Sequence, residues 1–323
     1  MAKDIFLAMA AKNDPTAETA AAMALTFKKQ VEDASQGALH VEIFPDGQLG
    51  GNREMTKLVS RNVVQSAIVT VGGVEPLYPL IAVTQMPFAF TSREIAYAVL
   101  DGSFGQHMGD EIARTTGFAV LGYGDTGGFY VLTNSKREIH SPQDMEGIKV
   151  RSIPGFEVLN AMISGMGGIP VKVSSREEFR ALGSGVVDGE MNPVSVVFSR
   201  RYDDVQKFMT LTNHLYAPYV WVMNKEFLDG LTEEEQAVVR EAARQAVQAG
   251  RELSRYIETS DRGLPTVRKR MQVYEPTAEE RQAFKLTAQA KVKESIAATL
   301  GAEGVETMDD FFAAIIAAEA SLR

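Results

Sequence analysis

Apolar and polar residues alternate over short stretches of this chain and recur at helical spacing over longer ones. An apolar run at 5–9 reads as a strand. Asp14-Pro-Thr16 then opens a predicted helix that carries Ala20, Met23, Ala24, Phe27 and Val31 on one face. Gly37 ends that connection, and Leu39, Val41 and Ile43 alternate as in a half-buried strand. A turn at Pro45-Asp-Gly47, a helix over 52–60 and a strand over 66–71 follow. Strands alternating with helices in this order predict the α/β class, a mostly parallel sheet with helices on its faces.

The pattern continues downstream. Thr91-Ser-Arg-Glu94 has the form of a capping box and predicts a helix running towards Leu100. Segments 119–122 and 130–133 read as consecutive or crossing strands. Ser141-Pro-Gln-Asp144 combines an N-cap serine, proline in the first turn and an acid near the helix start. A short strand is predicted over 148–151, helices from near Phe156 and Ser175, and strands at 171–173 and 219–223. Thr232-Glu-Glu-Glu235 caps a long helix with Val238, Ala242, Val247 and Leu253 among its apolar positions, long enough to bridge two lobes. Thr277-Ala-Glu-Glu280 caps another, and the Ala-rich tail from Met308 is helical. The chain has neither an internal repeat nor a low-complexity linker, so two lobes would be joined by ordered crossovers.

Length sharpens this picture, since 323 residues exceed one simple core and suit two lobes. The expected division is 1–124 with 213–252, and 125–212 with 253–323. No apolar run reaches the roughly 18–20 residues of a membrane span. Forty-two acidic against 33 basic residues give a formal charge of −9, which argues against nucleic-acid binding. That balance leaves an anionic ligand open, because one buried arginine dominates a local site. Cysteine is absent, which excludes disulfides, thiolate metal sites and cysteine nucleophiles. The start, Met1-Ala-Lys-Asp4, shows no export signal; the chain is either cytoplasmic or a mature form whose signal has been replaced by Met.

Most chemical motifs fail on inspection. Gly122-Tyr-Gly124-Asp-Thr-Gly127 has dinucleotide-fingerprint spacing, but it leads into the strand-like Phe129-Tyr-Val-Leu-Thr133 rather than a helix start. His40, His107, His140 and His214 lack partners at helical ligand spacing, so no metal is expected. Asp203-Asp204 and Glu177-Glu178 flank helix termini, where the macrodipole accounts for them. No catalytic set is present, and neither enzyme activity nor a cofactor is expected.

A series of ordered segments carries more information. They are Ile43-Phe-Pro-Asp-Gly-Gln-Leu-Gly50, Gln85-Met-Pro-Phe-Ala-Phe90, Gly128-Phe-Tyr-Val-Leu-Thr-Asn134 and Ser141-Pro-Gln-Asp-Met-Glu-Gly-Ile-Lys-Val-Arg151. Ala181-Leu-Gly-Ser-Gly-Val-Val-Asp-Gly-Glu-Met-Asn-Pro193, Tyr202-Asp-Asp-Val-Gln-Lys207 and Thr212-Asn-His-Leu-Tyr216 follow. In this order, over essentially the whole chain, they resemble the DctP-type substrate-binding proteins of tripartite ATP-independent periplasmic (TRAP) transporters. The resemblance implies a two-lobe periplasmic binding protein fold, with a long helix spanning both lobes and the ligand in the cleft. It implies a periplasmic, monomeric protein that captures a small organic acid and hands it to membrane permease subunits. A periplasmic ligand sensor for a membrane receptor would use the same residues, and a C4-dicarboxylate remains an alternative ligand.

The resemblance also assigns residues. The carboxylate-binding arginine of the family ends the Gly-x-Lys-x-Arg strand, which is Arg151 here, and Asn192 supports the arginine or the ligand. A guanidinium matches a carboxylate with two parallel hydrogen bonds. One charge-assisted bond contributes roughly 1.5–3 kcal/mol, whereas micromolar affinity needs about 8 kcal/mol, so apolar burial must supply the remainder. The competing reading is a surface arginine paired with Glu146 or Glu157. Many family members carry a second arginine where Tyr130 stands, which shifts the expected ligand towards a monocarboxylate with a hydroxyl, keto or aromatic portion. Ser175 replaces a frequent aromatic residue, and is alternatively a helix N-cap with Glu178 at N3. Phe88 and Tyr216, with Met86 and Trp221, are candidate apolar lining, and Asn13 is a candidate contact from the first lobe.

Overall fold

The computed structural model describes residues 2–153 and 156–322; Met1, on which the export question turns, lies outside them. Its strands are β1 Lys3–Met9, β2 Leu39–Phe44, β3 Ser66–Thr70, β4 Phe118–Asn134, β5 Lys149–Ser152, β6 Ile169–Lys172, β7 Gly189–Pro193, β8 Phe208–Asn224 and β9 Gln272–Tyr274. The chain forms two compact units. The first comprises 1–81, 97–126 and 218–256, and the second 82–96, 127–217 and 257–323.

In the first unit β1 lies between β2 and β3, parallel to both, with Leu7 opposite Ile43 and Ser66. β3 runs antiparallel to the end of β8, from Ser66 opposite Met223 to Thr70 opposite Tyr219. The helix Thr19–Ala34 buries all five apolar residues predicted for its inner face. It begins later than Asp14 because Asp14 Oδ1 accepts from Thr16 N and Thr16 Oγ1, closing a side-chain turn ahead of the helix. Trp221 is fully buried, edge-on to Phe27 with centroids 4.9 Å apart, and its indole N–H donates to Ser66 Oγ at 2.8 Å. It is therefore a core residue of this unit rather than pocket lining. The helix Glu233–Thr259 stays in this unit as far as Tyr256. Its Arg251, 1% exposed, makes paired bonds to Asp101 at 2.6 and 2.8 Å and lies over the Tyr97 ring. A buried charge is thus matched by its partner.

In the second unit β4 pairs antiparallel with β7, Tyr130 opposite Pro193 and Val131 opposite Asn192. β5 lies parallel to β7 and β6, and β9 parallel to the start of β8. Val131, Val187, Val194, Val197, Tyr202 and Leu211 belong to the core of this unit. The helix Ala278–Ser321 starts in the predicted capping box, with Glu280 N donating to Thr277 Oγ1 and Thr277 N to Glu280 Oε2. It breaks at Gly301, where φ is 63°. The segment 82–96, placed with the first lobe by chain order, packs in this unit. Pro87 O accepts from Gln289 Nε2 at 2.8 Å, and Thr91 Oγ1 bonds Glu319. With Thr91 so engaged, the cap of the helix Arg93–Asp101 passes to Ser92, whose Oγ accepts from Ile95 N.

The stretches read as two strands near 119–122 and 130–133 form one strand, β4. The glycines of the nominal nucleotide motif lie inside it, so no helix N-terminus is available for a pyrophosphate. Among the described residues no helix is long and apolar enough to cross a membrane, and no group of three or more His, Cys, Asp or Glu is arranged to hold a metal.

Candidate functional site

The site in the second unit begins with Arg151. It sits on β5 opposite Val171 and is 6% exposed, which removes the surface reading. Its Nε donates to Val173 O at 3.0 Å and one Nη2 hydrogen goes to Ser175 Oγ at 2.9 Å. Its Nη1 stands 3.6 Å from Glu178 Oε1, so its ion-pair partner is Glu178 rather than Glu146 or Glu157. A guanidinium carries five N–H donors. Two are spent on fixing its plane, and of the rest those on Nη1 face Glu178.

Ser175 does not cap a helix. The helix runs Glu178–Ser184, its N-cap residue is Glu177, and Ser175 Oγ serves Arg151. Glu178, 2% exposed, turns inward at the first helical position. Across from it Asn192 Nδ2 donates to Glu178 Oε1 at 3.2 Å and to Glu190 Oε2 at 2.6 Å. Glu190 is completely buried and also accepts from Thr133 Oγ1 at 2.5 Å. Burial first, and the Glu178 charge second, push the Glu190 carboxyl up to about 8, against the pull of Thr133, Asn192 and Arg151. Burial thus favours the protonated form of Glu190.

A second cluster surrounds His214. Its ring lies 6.3 Å from that of Phe88 and 6.4 Å from that of Tyr130. Phe88 has φ 53°, a left-handed conformation unusual for a bulky residue, and its N–H donates to His214 O at 2.6 Å. His214 Nδ1 is 2.7 Å from Thr212 Oγ1, while Nε2 is buried without a hydrogen-bond partner among the described residues. Burial pushes this imidazole down to about 3, so it is neutral at physiological pH.

The structure thus brings Arg151, Ser175 and Asn192 into one network, and Phe88 and Tyr130 around His214. Tyr216 is 2% exposed and packs edge-on to Phe90 and Phe129, with Phe90 in turn against Phe311. Asn13 is an exposed residue of the first unit, just beyond β1. Sequence reasoning missed Glu190 and passed over Glu178 and His214. Glu190 was recoverable, since residues two apart on a strand share a face and Asn192 was already assigned.

Comparison with known proteins bears on this geometry. Residues 8–299 match bacterial extracellular solute-binding protein family 7, DctP. A solute-binding protein of Verminephrobacter eiseniae is 34% identical over 245 residues, 75% of this chain and 71% of that one. A sugar acid binding protein of Advenella mimigardefordensis, solved with galactonate, superposes with a TM-score of 0.88 at 27% identity, covering 98% of this chain and 99% of the other. A TRAP periplasmic solute-binding protein of Sulfurospirillum deleyianum, solved with succinate, gives 0.84 at 26% identity, covering 96% and 99%.

Proposed function

This chain belongs to bacterial extracellular solute-binding protein family 7, the DctP family of TRAP solute-binding proteins, and from that premise we propose that it captures a small hydroxylated monocarboxylate through Arg151. The family binds and delivers solutes and is not an enzyme family. Capture outside the cytoplasm for the membrane permease subunits of a TRAP transporter follows as part of the same reading.

The observation that carries the proposal is the fixed guanidinium. Two donors tie Arg151 to Val173 O and Ser175 Oγ, so its remaining N–H groups are oriented before a ligand arrives. Preorganisation of this kind reduces the ordering cost of binding. The hydroxyl preference rests on Asn192. Both of its amide hydrogens serve Glu178 and Glu190, so it can offer a ligand only Oδ1, an acceptor. A ligand group beside the carboxylate must therefore donate, as a hydroxyl does and a second carboxylate does not. Tyr130, where many relatives place another cation, adds a wall without positive charge.

The test is calorimetric titration with galactonate, succinate and a panel of hydroxy acids against wild type and Arg151→Ala. We expect hydroxy monoacids to bind best, and loss of the guanidinium to weaken them at least about 100-fold, given roughly 1.5–3 kcal/mol for each charge-assisted bond of a two-bond clamp. Full affinity in Arg151→Ala would remove the arginine from the site, and a preference for succinate would overturn the monoacid assignment.

A further inference from the structure

The Glu178–Glu190 pair has no place in simple carboxylate capture, because two acids beside the capturing arginine oppose an anionic ligand. We propose that Glu178 and Glu190 are specificity-determining residues that restrict Arg151 to ligands with a single negative charge and make capture weaken as pH rises above neutrality. The proposal rests on the carboxylate-capture reading and adds the residues that set the charge limit.

The geometry is specific. One carboxamide, Asn192, holds the two acids together, with one N–H on each. Glu178 also faces Arg151 Nη1 at 3.6 Å, and the three charged side chains are all at least nine-tenths buried. With both acids ionised, the buried cluster would carry a net charge of −1 before any ligand arrived. A proton on Glu190 leaves Arg151 and Glu178 to balance each other. A monoacid then takes the cluster to −1, and a diacid whose second carboxylate lies nearby takes it to −2 in a poorly hydrated setting. Glu178 acts here by drawing on the charge of Arg151, and Glu190 by holding or releasing its proton.

Among the described residues the groups facing Glu190 are few. They are Glu178 on the helix Glu178–Ser184, Arg151 on β5, Asn192 on its own strand and Thr133 on β4. Tyr202 lies in the field of both acids, its hydroxyl raised by burial and then by Glu178, with Arg200 opposing. Its phenol therefore stays protonated between pH 7 and 9. Glu190, pushed up to about 8, changes charge in this window.

The matched probes are D-galactonate and galactarate, which differ by a second terminal carboxylate, with L-lactate and tartronate as a smaller pair. Calorimetry at pH 7, 8 and 9 on wild type, Glu178→Gln and Glu190→Gln reads two ratios for each protein. For wild type the monoacid is expected to be preferred at least about tenfold, and its affinity to fall about tenfold from pH 7 to 9, as a group near 8 passes from one-tenth to nine-tenths ionised. Glu190→Gln should flatten that pH dependence, and at pH 7 Glu178→Gln should narrow the monoacid–diacid ratio to about threefold or less by removing the charge that offsets Arg151. If Glu178→Gln weakens both acids equally and keeps the ratio, Glu178 merely positions Arg151 and the proposal fails. A pH dependence that persists in Glu190→Gln fails it as well. Wild type that binds none of the four acids fails the capture reading itself.

Discussion

Arg151 was singled out by the family resemblance, since residue type and strand position alone leave a surface arginine open, and its ion-pair partner Glu178 was passed over. The burial of Arg151 and its bond to Val173 O remove the surface alternative. Ser175 was ambiguous because a serine three residues before an acid satisfies the cap pattern. The guanidinium won, taking Ser175 Oγ at 2.9 Å while the helix began at Glu178. Asn192 was assigned by the resemblance, but where its amide hydrogens go depends on two acids, Glu190 on its own strand and Glu178 on the preceding helix. Tyr216 could have lined a pocket or a core, and two aromatic neighbours, Phe90 and Phe129, pack edge-on to it, with Phe311 behind Phe90. The contact between Ser175 and Arg151 leads to a prediction at this scale. Ser175→Ala removes one of the two bonds that hold the guanidinium, so affinity for the best monoacid should fall about threefold to tenfold, as expected for one hydrogen bond of roughly 0.5–1.5 kcal/mol. Stability should change little, since Ser175 itself is exposed. Titration calorimetry beside thermal unfolding separates the two effects, and an unchanged affinity would show that Ser175 does not hold the clamp.

At the scale of elements, periodicity served best where a face is buried against one core. The helix over 52–60 and the inner face of Thr19–Ala34 follow from local pattern alone. The long strand β4 did not, because Gly124-Asp-Thr-Gly-Gly128 has the composition of a turn. Tertiary partners keep it extended: Asp125 is fully buried, its carboxylate accepts from Tyr97 OH at 2.7 Å, and its carbonyl accepts from Thr19 Oγ1. Those partners are invisible to a local window, since they lie 28 and 106 residues away. The glycines are required by the same strand for another reason. Gly128 has φ 103°, and a Cβ there would lie 2.1 Å from Arg93 Nη2, the group that pairs with Glu258. Gly128→Ala must therefore strain the backbone and displace a buried cation together. We expect a loss of at least about 1–3 kcal/mol, the usual cost of a disallowed backbone conformation. Urea unfolding measures it, and a loss below about 0.5 kcal/mol, the range of an ordinary surface substitution, would mean that the strand relaxes without cost.

For the whole molecule, two buried titratable groups in one unit give stability a pH dependence that the formal charge of −9 does not suggest. His214 is held down to about 3 by burial. The unfolded chain therefore takes up a proton below its ordinary value of about 6.5 that the folded chain refuses, and stability is lost as pH falls through that point. Glu190 works in the opposite direction. Folded, it keeps its proton up to about 8, while the unfolded chain releases one near 4.5. Its contribution is present in full below that lower value and is lost as pH rises towards 8. Between roughly 4.5 and 6.5 the two slopes oppose each other, and from 6.5 to 8 that of Glu190 acts without opposition from His214. Carboxylates that folding holds below their usual range, Glu32 and Glu241 among them, titrate lower, and the buried phenols of Tyr123 and Tyr202 titrate above pH 10. Each unmatched proton changes stability by up to about 1.4 kcal/mol per pH unit. Glu190→Gln should therefore gain on wild type progressively from pH 5 to 8 and hold that gain at pH 9, while its loss of stability below pH 6.5, which His214 causes, becomes steeper. Urea midpoints for both proteins at pH 5, 6.5, 8 and 9 measure this. A constant offset between the two curves would mean that Glu190 is ionised in the folded protein, and would withdraw the proton on which its control of ligand charge depends.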